Sequence, residues 1–513
     1  MRFIIIFLIF SSAYAKVLLS NDITELNTTS HIDLPTYKPP VDSNIEPKCD
    51  SANDVGGMLD CPEVKVQDNG TALILTPYIK MDQIAEARKL SEVAPKLFEG
   101  VKSYSGFFTV DEKYDSNSFF WYFPVEGKHV NETPWIIWLQ GGPGVSSLTG
   151  LFEEIGPLRV SKLGAIKRNS FTWLRNHSIL FIDNPIGSGY SFTNHPDGYA
   201  SNMATYSKHL FSTVEQFLHV FPELRSAPLY IAGESYAGKY VPALGVELHR
   251  AKRNGSLNVN LQGFLIGNAY VDPSMIKNVN RVFYYMGLVN EDQMKAMEPL
   301  MTAFQADIDA KDSVAAKSKW TQIITVLLLL THQQQAYNFL KDELTFGGFT
   351  QVLKSSEIKK AIHVGDIKYS FLNLTVNNIM ASDFLSSSQN LFEELLDNDY
   401  RVLSYCGHLD QLLPCISSAE NHRTWQWRGR QKFIDSQRSP FMYNNKLAGW
   451  YKSGGNLTEA VVRGAGHMVP TDQPGRAQHL VTNWIYKRPL VRENTFPEQS
   501  YLNQIFKNIT SYF

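Results

Sequence analysis

The sequence predicts an α/β fold: a mostly parallel central sheet with helices on both faces and a helical insertion. Short apolar runs bounded by turn residues recur along the chain, with helical stretches between several of them. From 275 to about 355 the pattern is helical, without strong strands, and the strand pattern then returns.

The elements follow in order. Residues 1–15 read MRFIIIFLIFSSAYA: Arg2, an apolar run over 3–10, and Ala13-Tyr14-Ala15 before a cut near Lys16. That is the pattern of a secretory signal peptide, and the run is too short to span a bilayer. The apolar run 323–330 is also too short and reads as a buried helix face. Residues 16–72, rich in Asn, Asp, Ser, Thr and Pro, form an N-terminal extension or pro-segment. Residues 73–274 are the first part of the core. Order begins at Leu73-Ile74-Leu75, and a helix is expected over 83–97. Runs 106–110 and 118–123 read as a hairpin. Runs 134–139, 178–182, 228–232 and 261–266 read as strands, with a helix over 207–220. Residues 275–365 are the helical cap insertion. Residues 366–513 are the second part of the core, with strands at 401–405 and 459–462.

Composition narrows the class. Forty-eight Lys and Arg against 50 Asp and Glu give the 513 residues a net charge of −2, which suggests neither nucleic acid nor an anionic membrane as partner. The four cysteines, Cys49, Cys61, Cys406 and Cys415, allow three pairings. Short loops favour Cys49–Cys61 and Cys406–Cys415; two free buried thiols at Cys406 and Cys415 are the alternative. Secretory entry gives meaning to sequons at Asn27, Asn69, Asn131, Asn176, Asn254, Asn373, Asn456 and Asn508.

The chemistry centres on Leu229-Tyr230-Ile231-Ala232-Gly233-Glu234-Ser235-Tyr236-Ala237-Gly238, which reads strand, tight turn, helix. It approximates the nucleophile elbow G-x-S-x-G, with Ala237 in the last position. A serine on so sharp a turn needs small neighbours two residues away. Its place at a helix N-terminus offers free N–H groups to an oxyanion. A serine that only caps a helix is the competing reading. An acid and a histidine then follow beyond strand ends, Asp410 after Gly407-His408-Leu409 and His467 after Gly464-Ala465-Gly466. The order Ser, Asp, His is that of the α/β-hydrolase fold. His408 is a rival base, but two residues from Asp410 it would serve poorly in the same constellation.

These residues together resemble the serine carboxypeptidase family from about 75 to about 490. The resemblance rests on Trp138-Leu139-Gln140-Gly141-Gly142-Pro143-Gly144, the stretch from Ser146 to Pro157, and Ile182-Asp183-Asn184-Pro185 running on to Ser191. It also rests on the Ser235 segment, Ile266-Gly267-Asn268, and the Asp410 and His467 loops. Leu75-Thr76-Pro77-Tyr78-Ile79, Gln140 and Asp183-Asn184-Pro185 look most like the vitellogenic-like branch.

The resemblance implies Ser235 as nucleophile, His467 as general base and acid, and Asp410 as the group orienting the imidazole. It implies an oxyanion hole from the Gly142 and Tyr236 amides. It places recognition of a substrate's terminal carboxylate on Gln140, Gly141, Glu154 and Glu234. Carboxyl groups so close raise each other's pKa, so in acid one is protonated and can donate a hydrogen bond. The implied partners are peptides or proteins with a free C-terminus, with no cofactor and no metal, and a homodimer is compatible with the sequence. The implied setting is secreted or lysosomal. Gln140 stands where most of the family has Asn. Val145 stands where most has Cys, so the usual disulfide from that position is absent. An esterase or acyltransferase on the same fold, and a catalytically retired binding or protective protein, are the competing readings.

Overall fold

The computed structural model describes residues 69–490. The signal-peptide reading, nearly all of the N-terminal extension, Cys49, Cys61, Asn27 and Asn508 lie outside the described residues.

The strands in chain order are β1 (Glu92–Val93), β2 (Ser103–Asp111), β3 (Ser116–Phe123), β4 (Trp135–Leu139), β5 (Ser178–Ile182) and β6 (Leu229–Glu234). They continue with β7 (Leu261–Gly267), β8 (Arg401–Gly407), β9 (Arg438–Tyr443), β10 (Lys446–Gly454) and β11 (Leu457–Val462). They form one sheet in the order β1-β2-β3-β5-β4-β6-β7-β8-β11-β10-β9, and the short strand Phe192–Thr193 pairs with β3. From β5 to β11 every neighbouring pair is parallel. Antiparallel strands flank this centre on both sides.

The central runs are apolar throughout because both faces are buried. Successive side chains of a strand point to opposite faces. Ile137, Leu139, Leu180, Ile182 and Ile231 enter one core, and Ile136, Trp138, Ile179, Phe181 and Ala232 the other. Helices α1 (Met203–Val220) and α2 (Ala237–Asn254) cover the first face. Asn202 caps α1 by accepting the Thr205 amide at 3.1 Å, and Tyr206, Leu210, Val214 and Phe217 form its buried stripe. The insertion supplies α3 (Val279–Tyr285), α4 (Glu291–Ala296), α5 (Glu298–Asp309) and α6 (Ser313–Thr331). Met301, Phe304, Ile323 and Leu327 from α5 and α6 belong to the same core as α1 and α2, so the insertion is packed onto the body rather than tethered to it. Helix α7 (Gln389–Asp397) joins that face, and α8 (Pro474–Ile485) covers the other with Leu480, Val481 and Trp484. No helix among the described residues is long and apolar enough to cross a membrane.

The expected strands and hairpin form, and the structure departs from the sequence reading in two places. The helix expected over 83–97 ends at Leu90, because Glu92–Val93 pairs with β2 and buries Val93. Strands β9 and β10 add an antiparallel edge that apolar periodicity did not disclose. The run 323–330 is a buried helix face as expected: Ile323, Ile324 and Leu327 are buried, and Leu329, off that face, is exposed. Cys406 and Cys415 form a disulfide.

Ile231 is fully buried at the middle of the central strand β6. Ile231→Ala is expected to lower unfolding stability by about 2–5 kcal/mol, measured by urea denaturation of the purified protein.

Candidate active site

Four adjacent parallel strands, β6, β7, β8 and β11, end at the site, where open α/β sheets place their chemistry. Ser235 follows β6 directly, with φ of +62°, a left-handed value that few non-glycine residues adopt. The turn is held by the Ser235 amide donating to the Gly267 carbonyl at 3.0 Å and the Tyr270 amide donating to the Ser235 carbonyl at 2.9 Å. Ser235 is half-buried, whereas Asp410 and His467 are buried.

The predicted acid and base meet. His467 Nδ1 lies 2.8 Å from Asp410 Oδ2. The same oxygen accepts Asn268 Nδ2 at 2.6 Å, and Asp410 Oδ1 accepts the Leu412 amide at 2.8 Å. Asn268 is fixed in turn, since its Oδ1 accepts the Gly407 amide at 2.9 Å. The carboxylate is thus held by two donors besides the imidazole. His408 is exposed and stays out of this cluster.

The Gly141-Gly142-Pro143-Gly144 turn lies against the serine. A Cβ on Gly141 would sit 2.6 Å from the Tyr236 nitrogen and 2.7 Å from Ser235 Cβ, so only glycine fits. Gly142 has φ of +114°. The amides of Gly142 and Tyr236 donate to no described residue. Asp183 anchors the turn from beneath. It is buried, and its Oδ1 accepts the Ser146 hydroxyl at 2.7 Å and the Ser147 amide at 2.8 Å. Val145 pairs through its backbone with Leu372.

Gln140, Glu154 and Glu234 form a buried group beside the elbow. Trp138 Nε1, which can only donate, lies 2.9 Å from Gln140 Oε1. That contact turns the Gln140 amide nitrogen toward Glu234, whose Oε1 accepts it at 3.3 Å. Both oxygens of Glu154 and Oε2 of Glu234 have no hydrogen-bond partner among the described residues. Burial is the first cause that pushes Glu154 up to about 7, and burial followed by the charge of Glu154 drives Glu234 well above the carboxylate range. The pair therefore holds protons in acid.

Three contributors were not assigned a role from sequence. Asn268 and Asp183 lie within the quoted motifs, and their positions just past strand ends were the available signal. Tyr337, from the segment after α6, has no motif. Its carbonyl accepts the His467 amide at 2.6 Å, and its ring packs edge-on to the imidazole at 5.0 Å. Burial, then the charges of Glu234, Asp410 and Glu154, push its phenol up to about 12. Among the candidate sequons, Asn131, Asn254 and Asn456 are exposed, and Asn69 and Asn176 are half-buried. Asn373 is also half-buried, with its Nδ2 donating to the Gly187 carbonyl at 2.8 Å.

Comparisons with known proteins agree with this architecture. The model of the serine carboxypeptidase family matches residues 95–487. A vitellogenic carboxypeptidase of Aedes aegypti is 34% identical over 435 residues, 82% of this chain and 92% of the relative. A venom serine carboxypeptidase of Apis mellifera is 35% identical over 448 residues, 83% of this chain and 94% of the relative. The probable serine carboxypeptidase CPVL of Homo sapiens is 34% identical over 443 residues, 82% of this chain and 90% of the relative. A solved prohormone-processing carboxypeptidase of Saccharomyces cerevisiae superposes with a TM-score of 0.71 at 22% identity, covering 80% of this chain and 98% of that one. The fold is the α/β-hydrolase fold.

The carboxyl pair links stability to pH. Glu154 ionises at about 7 in the fold against an ordinary 4.5, so the unfolded chain sheds this proton first. Its contribution to stability is full below about pH 4.5 and is lost as pH rises to about 7; Glu234, also raised, acts in the same sense. Over that window Tm should fall less steeply for Glu154→Gln than for the unaltered protein, as read by differential scanning calorimetry.

Proposed function

The chain belongs to the serine carboxypeptidase family and is a serine-type carboxypeptidase; on that premise we propose how its own residues carry the reaction. Ser235 Oγ attacks the carbonyl of the last peptide bond while His467 Nε2 takes the hydroxyl proton. Asp410, 2.8 Å from Nδ1, holds the ring and stabilises the imidazolium. The oxyanion is met by the amides of Gly142 and Tyr236, the latter at the start of α2. His467 then protonates the departing amine, the C-terminal amino acid leaves, and an acyl ester remains on Ser235. Water, losing its proton to His467, attacks the ester and restores the serine.

The observation that carries the exopeptidase reading is the buried Glu154–Glu234 pair with oxygens left unpartnered beside the elbow. In acid its protonated carboxyls donate to the substrate's terminal carboxylate, together with Gln140 Nε2 and the Gly141 amide. The Trp138 contact supports Gln140 in this role, because it directs the amide donors inward. As pH rises through about 7, Glu154 ionises and repels that carboxylate. Activity should therefore favour acid, with the loss in KM. The helices of 275–365 act as a cap over the cleft and set side-chain preference.

The chain enters the secretory pathway and works outside the cell or in the lysosome. The N-terminal pattern, the disulfide and the exposed sequons Asn131, Asn254 and Asn456 support this setting. Asn373 is expected to stay unmodified in the folded protein, because a glycan would displace its bond to Gly187.

The test uses a peptide with a free C-terminus and its C-amidated twin, followed by mass from pH 4 to pH 8. Stepwise loss of single residues from the free acid, strongest in acid and abolished by Ser235→Ala, is expected. Equal trimming of both peptides would contradict the carboxylate clamp, and trimming by Ser235→Ala would contradict the nucleophile.

A further inference from the structure

The turn that carries the Gly142 amide has little stiffness of its own. Gly142 and Gly144 have φ of +114° and +94°, in a region glycine enters and leaves freely. Its orientation must come from outside contacts. Asp183 supplies one set, and residues 371–386 supply another. Within that segment the Phe371 carbonyl accepts the Ser146 amide at 3.0 Å, and the Asn373 amide donates to the Gly144 carbonyl at 2.9 Å. Asn377 Nδ2 donates to the Pro143 carbonyl at 3.0 Å, the carbonyl next after Gly142.

The same segment also reaches the other half of the oxyanion site. Asp383 is buried, and its Oδ2 accepts the Tyr236 hydroxyl at 2.9 Å. Its Oδ1 accepts the Ser386 hydroxyl at 2.9 Å and the Met203 amide at 3.2 Å. Lys239, one turn along α2, is fully buried and donates to the Asp383 carbonyl at 2.5 Å and the Phe384 carbonyl at 2.9 Å. Helix α6 of the insertion is tied in by Lys317, whose Nζ donates to Asn377 Oδ1 at 2.6 Å and to the Asn377 carbonyl, and by Ser313, whose hydroxyl accepts the Leu385 amide at 3.3 Å.

We propose that Asn377 and Asp383 are positioning residues that set the spacing of the Gly142 and Tyr236 amides, and that Lys317 makes the helical insertion part of this brace. The inference rests on the reading that those two amides meet the oxyanion. Neither side chain touches substrate. Each acts through a backbone amide whose placement matters only when negative charge develops, so the cost of losing it falls on kcat and not on KM.

Asn377→Asp is the sharpest variant. It keeps the acceptor for Lys317 and replaces the donor to Pro143 with an oxygen, at the same size and half-buried on the surface of the turn. Tyr236→Phe removes the hydroxyl held by Asp383 and leaves the amide in place. The readouts are kcat and KM on a free-acid peptide, the rate of fluorophosphonate labelling of Ser235, and Tm. For Asn377→Asp, kcat and labelling rate should each fall about 10- to 100-fold, by analogy with lost or displaced oxyanion donors, with KM within about twofold. Tyr236→Phe should shift the same two quantities in the same direction, and Asn377→Gln, which keeps the donor on a longer arm, should recover part of the loss. A raised KM at unchanged kcat, or losses that follow Tm alone, would overturn the brace. Normal labelling of Asn377→Asp would overturn it while leaving the carboxypeptidase reading intact. An unaltered enzyme that neither labels nor trims peptides would overturn both.

Discussion

The contact between Gly141 and the Ser235 turn governs the rest of the site. Strands β4 and β6 are parallel neighbours, so the glycine turn and the serine turn leave the same sheet end side by side. A single methyl at 141 would fall 2.6 Å from the Tyr236 nitrogen, so the glycine turn lies hard against the start of α2. The strained φ of Ser235 is held from the far side by hydrogen bonds to Gly267 and Tyr270, next to β7. The rigid sheet defines where the three chemical groups emerge, and loops only complete their aim.

The carboxyl pair lies against this frame as a deliberate weakness. Buried acids with oxygens that lack donors oppose folding, and a well-packed interior would exclude them. Here they sit among Trp138, Gln140 and the elbow, with a proton held in acid. In the proposed reading, the arrangement offers a binding site for one negative charge made of groups that are usually negative. On that proposal one protonation governs both binding and stability, so the two should shift together in variants of Glu154.

Much of this was legible in the sequence because the central strands are buried on both faces. A run such as Trp135-Ile136-Ile137-Trp138-Leu139 has no other use in a chain of this kind, and Gly and Pro mark its ends. The Ser235, Asp410 and His467 segments stood out since each follows such a run. The edge was harder to read. Strands β9 and β10 alternate weakly, because one face meets solvent, and their signal was the turn Asn444-Asn445, with φ of +51° and +59°. The expected helix over 83–97 failed because Val93 is drawn to the sheet edge, a tertiary demand that local periodicity does not show. Tyr337, Asn377 and Asp383 were invisible for a different reason. Their roles depend on contacts between segments far apart in the chain, and nothing in their own neighbours announces them.

The central claim is that Ser235, aimed by this interlock and served by His467, carries the acyl group. The most direct measurement is an acid-quenched reaction with an activated ester of an N-blocked amino acid, followed by intact mass and peptide mapping. An adduct of one acyl group on the peptide containing Ser235, appearing within the first turnover and missing in His467→Ala, is the predicted result. Rapid turnover with no adduct, or an adduct on any other residue, would contradict it.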